Sequence, residues 1–273
     1  MRAGVQAWFP AFRPTIAQVC ERRMFHYCRF DAFKSIIEGR KLWASDARML
    51  NDREELFFAK NMLEKSTDLV LSALAGLSLD DVFERCISRA ITEDFRLYVT
   101  SFSGSANKLS QWRSYANGGR GVSIGFSPAT FEAQGFLVRQ TTYGDQLVEE
   151  VIAKLKQIAA RHSADPDIEK FCFRAIIETI ASSKQSAFSE EDEVRLSVFT
   201  HQVPPSGVKY RTSGDFLIPY VEVDVSGAWP HAISQVWLGP MNSDPMTRAV
   251  VREFLNAHGL TNTTVSCSKT PLR

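Results

Sequence analysis

The chain has 273 residues, with 32 lysines and arginines against 31 aspartates and glutamates, so its formal net charge is +1. Hydrophobic residues make up 44% and charged residues 23%, which are the proportions of a folded globular protein and not of a disordered one. A charge this close to neutral gives no global electrostatic case for nucleic acid, although a local basic groove would leave the total unchanged.

The cysteines and the apolar segments predict a cytoplasmic setting. The five cysteines are scattered and odd in number, without the paired spacing of a zinc site or a disulfide framework. A reducing compartment fits this usage. No apolar run approaches the roughly 20 residues needed to span a bilayer, and the N-terminus lacks the apolar stretch of a signal peptide. We therefore expect no membrane partner.

Hydrophobic periodicity divides the chain into a short arm and one domain. Residues 1–23 have no clear period and predict an irregular arm, whereas residues 24–273 predict a single mixed α+β domain. The runs that predict strands are 25–28, 41–45, 95–103, 121–126, 193–199, 216–223 and 234–238. The runs that predict helices are 31–39, 51–63, 80–90, 110–115, two within 146–183, and 244–257.

Local signals support three of these boundaries. Asp31 can cap the first helix. Asn51 or Asp52 can cap the second, with Glu55 in the position of a capping box. The glycines of residues 117–119 predict a hairpin turn and not a phosphate loop, because neither a helix nor a Lys-Ser/Thr pair follows them.

The segment of residues 186–196 sets an acidic loop directly against the start of an apolar strand. Glu191 and Glu193 would fall on the same side of an extended chain, where like charges raise one another's pKa. Arg195 could neutralise the pair. Two interpretations stay open, namely a solvated shoulder with an incidental salt bridge and a carboxylate pair that serves a function.

Ordered blocks from about residue 24 to the C-terminus resemble a bacterial family, the domain-of-unknown-function family twenty-nine seventy-one. The blocks are Phe25-His26-Tyr27, Lys41-Leu42-Trp43-Ala44-Ser45, Leu50-Asn51-Asp52 with Glu55, Ser101-Phe102-Ser103, Ser110-Gln111-Trp112-Arg113-Ser114-Tyr115-Ala116, Gly121-Val122-Ser123-Ile124-Gly125-Phe126, Glu191-Asp192-Glu193-Val194-Arg195, Leu238-Gly239-Pro240 and Ser268-Lys269-Thr270-Pro271-Leu272-Arg273. The family label names no chemistry.

The order of elements in the chain is similar to that of the NAD-binding core of ADP-ribosyltransferases of the His-Tyr-Glu kind. This order is a first-strand His, a helix, a Gly, an aromatic-x-Ser strand, a helix and a late Glu. This resemblance implies a split antiparallel sheet flanked by helices, with NAD as the substrate. It implies that His26 holds the nicotinamide-side ribose and that Trp43 or Tyr115 stacks on the nicotinamide. Glu193 or Glu191 would bind the ribose 2′-hydroxyl. The chain departs from the pattern at Trp43, where Tyr is more usual.

The same blocks supply the other expected cofactor-binding residues. These are Tyr27, Ser45, Asn51, Asp52, Ser103, Gln111, Trp112 and Arg195, with Ser101 beside Ser103 on the floor of the site. A fixed carboxylate stabilises the positive charge that builds on the ribose as the nicotinamide bond breaks. We expect Glu193 to make that contact and Glu191 to orient or deprotonate the acceptor. No metal is expected.

The implied function is transfer of ADP-ribose to an unidentified macromolecule, either protein or nucleic acid. A toxin or anti-phage effector would fit, and it would bring an antitoxin or immunity partner.

Each of the candidate site residues could instead have an ordinary structural role. His26 can be a hydrogen-bonded core histidine, Asn51 and Asp52 a helix cap, and Trp112 with Tyr115 a packed turn.

Two other function classes stay open. One is a non-catalytic nucleotide- or RNA-binding module, which the basic and aromatic residues Arg113, Arg120 and Tyr115 would suit. The other is a nuclease-like effector that binds Mg²⁺ through carboxylates such as Asp52, Glu55 and Glu191.

Overall fold

Most of the chain from residue 23 onward is described by the structure, which is a computed structural model. The described residues are 23–49, 55–77, 79–92, 96–132, 134, 136–200 and 207–271. The predicted arm and the predicted site residues Asn51 and Asp52 lie outside them, as does the side chain of Glu55.

The described residues form both strands and helices. The strands are β1 Met24–Cys28, β2 Lys41–Asp46, β3 Arg96–Ser103, β4 Val122–Phe126, β5 Leu137–Gln140, β6 Thr142–Tyr143, β7 Ser183–Lys184, β8 Glu193–Thr200, β9 Lys209–Ser213, β10 Phe216–Asp224, β11 Ile233–Leu238 and β12 Thr264–Cys267. The helices are α1 Phe30–Gly39, α2 Glu55–Lys65, α3 Thr67–Leu74, α4 Asp80–Thr92, α5 Leu109–Tyr115, α6 Ala129–Glu132, α7 Gln146–His162, α8 Ile168–Ala181 and α9 Pro245–Ala257. The predicted α+β class is confirmed.

One boundary signal was wrong. Asp31 does not cap α1, because Arg29 occupies the N-cap position and Asp31 lies within the first turn. There its negative charge still favours the helix through the dipole. A turn does lie at residues 117–119, with Asn117, Gly118 and Gly119 all in the left-handed region at φ 51°, 61° and 81°. It joins α5 to β4 and not two paired strands, so the predicted hairpin was wrong.

Ten strands form one mixed sheet with β3 near its centre. Its main path runs β12-β11-β4-β1-β3-β2-β10-β9, and β8 pairs with β3 and β5. The pairs are antiparallel except for β11 with β12. Because β8 pairs with the whole length of β3, strands β1 and β2 must both pair with its opposite edge. They meet it at different ends, with Phe25 opposite Ser103 and Ser45 opposite Val99. The sheet therefore splits between β1 and β2.

Two large cores cover the two faces of the sheet. Side chains alternate between faces along a strand, and β3 accordingly sends Tyr98 and Phe102 into a core with α1, α6 and α9. It sends Leu97 and Val99 into a second core with α2, α3, α4, α7 and α8. Helix α5 makes a third, smaller cluster in which Trp112 packs on β1. Among the described residues, no helix is long and apolar enough to cross a membrane.

Candidate functional site

Ser101 is exposed although it lies near the middle of the longest-paired part of the sheet. The burial pattern along β3 leaves this residue as the exposed position between buried Thr100 and buried Phe102. Central strands are normally covered on both faces, so an exposed residue there marks an opening in the helical cover. Ser101 shares its face with Val99, which belongs to the large helical core, and with Ser103.

Several predicted site residues lie on this face. Ser45 pairs with Val99, so Trp43, two residues earlier on β2, points to the same side as Ser101. Ser103 pairs with Glu193, which places the Glu193 side chain on that side as well. Trp43 is 44% exposed and its ring stacks on Tyr220 at 4.5 Å between centroids. We call this opening the Ser101 cleft and define it by Ser101, Trp43, Tyr115, Glu191 and Glu193.

Glu193 is not a solvated carboxylate but the buried centre of an ion network. Its side chain is 5% exposed. Arg195 donates to both carboxylate oxygens, with Nε 3.0 Å from Oε1 and Nη2 3.0 Å from Oε2. Lys184 Nζ lies 3.3 Å from Oε2. Burial acts to raise the pKa of Glu193, but Arg195, Lys184 and a hydrogen bond from Ser101 outweigh it, so the pKa is lowered.

Glu191 is the more accessible carboxylate of the pair. Its side chain is 21% exposed, and Lys184 Nζ lies 2.7 Å from its Oε2. Tyr115 donates to its Oε1 over 3.4 Å, which is long for a hydroxyl hydrogen bond. Burial, followed by the charge of Glu191, raises the pKa of Tyr115 to about 12, so the phenol stays protonated as a donor. Oε1 of Glu191 therefore keeps capacity to accept a hydrogen bond from a ligand.

The carboxylates of Glu191 and Glu193 lie close together, but the reason is not their two-residue spacing on an extended chain. Glu191 ends a 3₁₀ turn, Ser186–Glu191, and Asp192 has a left-handed backbone at φ 47°. The chain is therefore not extended through this segment, and the expectation that it is extended was wrong. Lys184 on β7 brings the two side chains together by contacting both.

His26 lies on the other face of the sheet from Glu193. Phe25 pairs with Ser103 and so shares the face of Glu193, whereas the next residue, His26, points the opposite way and contacts the ring of Phe102. Its Nδ1 is 3.1 Å from the carbonyl oxygen of Ser101. Burial lowers the pKa of His26, which favours the neutral ring as a donor to that carbonyl. His26 thus hydrogen-bonds to the backbone of β3 at the split, between the part of β3 that pairs with β1 and the part that pairs with β2.

Thr100 makes the matching contact on the other side of the split. Its Oγ1 donates to the carbonyl oxygen of Trp43 at 3.1 Å. His26 and Thr100 thus satisfy backbone groups that strand pairing would otherwise satisfy. The contacts fix β1 and β2 on either side of Ser101.

Three further predicted site residues lie within α5 or directly beneath it. Tyr27 Oη donates to the carbonyl oxygen of Ser105 at 2.8 Å and accepts from the amide of Lys108 at 2.9 Å. Trp112 is fully buried with its ring edge against Tyr27. Gln111 is 8% exposed. These side chains support α5, which carries Tyr115 at its C-terminal end.

Ser45 and Ser103 are also buried. The hydroxyl of Ser103 lies 3.3 Å from the carbonyl oxygen of Glu191 and so fixes the turn before β8. The hydroxyl of Ser45 accepts from Arg211 at 3.2 Å.

Sequence reasoning missed Lys184, which joins the two carboxylates, and Tyr143, whose Oη accepts from the amide of Glu193 at 2.9 Å. Both come from short segments without a periodic pattern. Lys184 lies in the polar run of residues 182–186 after the end of α8, so no local pattern indicated that its side chain would be buried.

The described residues contain no group of three or more His, Cys, Asp or Glu that could hold a metal ion. Surface depressions of about 400 and 420 Å³ lie beside the start of α4 and beside α9, away from the Ser101 cleft.

Residues 111–196 match the model of a family described as Protein of unknown function (DUF2971). The match supports the resemblance to that family over this span, which contains Tyr115, Lys184, Glu191, Glu193 and Arg195. Comparison with curated proteins and with solved structures gave no match. None of these comparisons supports the resemblance to ADP-ribosyltransferases.

Proposed function

We propose that the Ser101 cleft binds NAD and that the protein cleaves its nicotinamide–ribose bond, passing ADP-ribose to a macromolecular acceptor. The observation that carries the proposal is the exposure of Ser101 in the middle of β3, with an exposed aromatic ring and a carboxylate pair on the same face. An opening lined by one aromatic wall and a few fixed polar groups suits a ligand that has both a flat ring and hydroxyl groups.

The geometry favours Glu191 over Glu193 for the ribose contact. Both oxygens of Glu193 are engaged by Arg195, so a ligand hydroxyl would have to compete with a buried ion pair. Glu191 has one oxygen held by Lys184 and the other only weakly held by Tyr115. This reverses the roles expected from the sequence, and Glu193 becomes a positioning residue that fixes Lys184.

The residues then have separate tasks. Trp43 stacks on a ring of the ligand, and the carboxylate of Glu191 stabilises the positive charge that develops on the ribose. The bonding electrons leave with the ring nitrogen of nicotinamide. The acceptor oxygen or nitrogen forms the new bond to the same ribose carbon and loses its proton to solvent or to Glu191. His26 has no direct task, because it lies on the opposite face and caps Ser101.

Nicotinamide release tests the proposal. Wild type should release nicotinamide from NAD, and Glu191→Gln should slow release by about a hundredfold or more, since a charge that acts in the transition state is lost. Glu169→Gln is the matched control, because Glu169 is a partly exposed, ion-paired glutamate on α8 that contacts Arg85 and lies outside the cleft. No release by wild type, with or without a lysate of candidate acceptors, would contradict the proposal.

A second candidate is a nucleotide-binding module without chemistry. The observation that favours it is the double hydrogen bond from Arg195 to Glu193, which removes one of the two expected catalytic carboxylates from direct action. Such a module would bind NAD or ADP with the same dependence on Trp43 but release no nicotinamide. The Mg²⁺-dependent nuclease stays a prediction, because Asp52 and the side chain of Glu55, two of its three expected ligands, lie outside the described residues.

A further inference from the structure

Arg211 on the edge strand β9 lies on the same sheet face as Trp43. It pairs with Ile218 on β10, and Tyr220, two residues on, pairs with Ser45 on β2. Directly paired residues share a face, as do residues two apart. Arg211, Ser45 and Trp43 therefore point to the same side, which is the side of the Ser101 cleft.

The Arg211 side chain crosses β10 to reach β2. Strand β2 lies two strand spacings, roughly 10 Å, from β9, and the Arg211 side chain spans enough of that distance for its Nη2 to donate to Ser45 Oγ at 3.2 Å. Its Nε is buried and has no hydrogen-bond partner among the residues that the structure describes. A guanidinium offers five N–H donors. One contact to a neutral hydroxyl is weak compensation for the desolvation of such a group.

No carboxylate neutralises Arg211 within the part of the chain that the structure describes. Glu222, one of the two acidic residues on the neighbouring strand β10, is held by Lys41 and Lys209, each at 2.7 Å. Burial lowers the pKa of Arg211, with no carboxylate among the causes. A partly desolvated cation without a counter-charge costs free energy in the folded state unless an anion binds there.

We propose that Arg211 and Ser45 bind a phosphate group of a phosphorylated ligand that occupies the Ser101 cleft. The inference rests on the proposed function for the identity of that ligand, but the anion site can be tested separately. A guanidinium matches phosphate oxygens through paired N–H donors. The Ser45 hydroxyl accepts from Arg211 and keeps its own proton to donate to the phosphate.

The position of the anion fits one ligand that reaches both ends of the cleft. Ser45 lies two residues from Trp43 along β2, about 7 Å. A bound phosphate would thus lie about that distance from the stacking ring. Glu191 and Tyr115 would lie on the far side of Trp43 from Arg211, so the negatively charged end of the ligand is kept away from the carboxylates.

Calorimetric titration at fixed ionic strength tests the site. The ligands are inorganic pyrophosphate, ADP, NAD and the phosphate-free nicotinamide riboside, and the proteins are wild type, Arg211→Gln, Arg211→Lys and Arg161→Gln. Arg211→Gln should weaken pyrophosphate, ADP and NAD about tenfold to a hundredfold, which is the range for a hydrogen bond to a charged group, and leave nicotinamide riboside unchanged. Arg211→Lys should keep part of the affinity. Arg161, an exposed residue of α7, is the control and should show no effect.

The outcomes separate this inference from the proposed function. Pyrophosphate and ADP binding that depends on Arg211 in a protein that neither binds NAD nor releases nicotinamide would support the anion site and contradict the proposed function. Equal binding of pyrophosphate and ADP to wild type and Arg211→Gln would overturn the anion site. So would the absence of pyrophosphate and ADP binding to wild type. Thermal unfolding of each variant checks that the fold is kept.

Discussion

Arg195 donates to both carboxylate oxygens of Glu193, and the two hydrogen bonds are each 3.0 Å long. The two side chains are 4% and 5% exposed, so the pair is desolvated. Arg195 also donates to the carbonyl oxygens of Ala181 and Ser183 at the end of α8. The pair therefore joins β8 to the helical core and sets the position of Lys184 between the two acidic residues.

Removing one partner of this pair should destabilise the fold. Glu193→Ala leaves the Arg195 charge buried without a counter-charge, which costs about 3–5 kcal/mol in the free energy of unfolding. The double variant Glu193→Leu/Arg195→Met removes both charges, and it should recover at least half of that loss in the free energy of unfolding. Urea denaturation of the single and double variants measures both values. A single variant as stable as wild type would show that the pair is not the structural link described.

The stability contributed by Glu193 should depend on pH. The folded pKa of Glu193 lies below its ordinary value of 4.5. The ionised form therefore stabilises the protein above about pH 4.5, and this contribution is lost as the pH falls through the folded pKa. Unfolding free energy measured from pH 6 to pH 3 should fall more steeply in wild type than in the double variant at positions 193 and 195. Parallel curves would contradict the assignment.

Gly239 should not tolerate a side chain. An added Cβ would lie 2.3 Å from the carbonyl oxygen of Gly119, whose loop packs directly against residue 239. Gly239→Ala should therefore lower the free energy of unfolding by about 1–3 kcal/mol through overpacking. Gly227→Ala is the control, since a Cβ there meets no atom of the described residues within 4 Å. Chemical denaturation measures both. Equal stability of the two variants would contradict the close approach.

Much of the sheet was predictable because its strands have strong local signals. Strands β3 and β8 are rich in β-branched and aromatic residues, and both were predicted within one residue. Strand β9 was missed because it lies at the sheet edge and is largely exposed, so its side chains do not alternate in polarity. Its residue Arg211 was therefore absent from the expected site.

The composition of the site was partly predictable, but its geometry was not. Glu191, Glu193, Trp43 and Tyr115 were expected from the sequence. The face on which His26 points depends on the register between β1 and β3, which no local pattern specifies. The exposure of Ser101 depends on where the helices leave the sheet uncovered.

Filling the cleft should block ligand binding without unfolding the protein. Ser101 is exposed, so a larger side chain at this position enters the opening and not the core. Ser101→Tyr removes the hydrogen bond from Ser101 to Glu193, so it should lower the unfolding free energy by no more than about 1.5–3 kcal/mol and leave the protein folded. NAD and ADP affinity, measured by calorimetry, should fall below detection. Unchanged affinity would place the ligand elsewhere.

Trp43 should supply stacking energy to the ligand. Loss of one ring–base stack costs about 1–3 kcal/mol, so Trp43→Ala should weaken NAD binding by about fivefold to 150-fold. Tyr210→Ala is the control, since Tyr210 is 57% exposed on β9 and points to the other face. If both variants bound NAD as tightly as wild type, Trp43 would have no part in binding.

The measurement that decides most is a crystal structure of the wild-type protein with an NAD analogue whose carbocyclic ribose cannot release nicotinamide. The ligand should lie over Ser101, with a ring on Trp43, a ribose hydroxyl within hydrogen-bonding distance of Glu191, and a phosphate at Arg211. A ligand bound at another surface, or no ligand at saturating concentration, would contradict the assignment of the Ser101 cleft as the functional site.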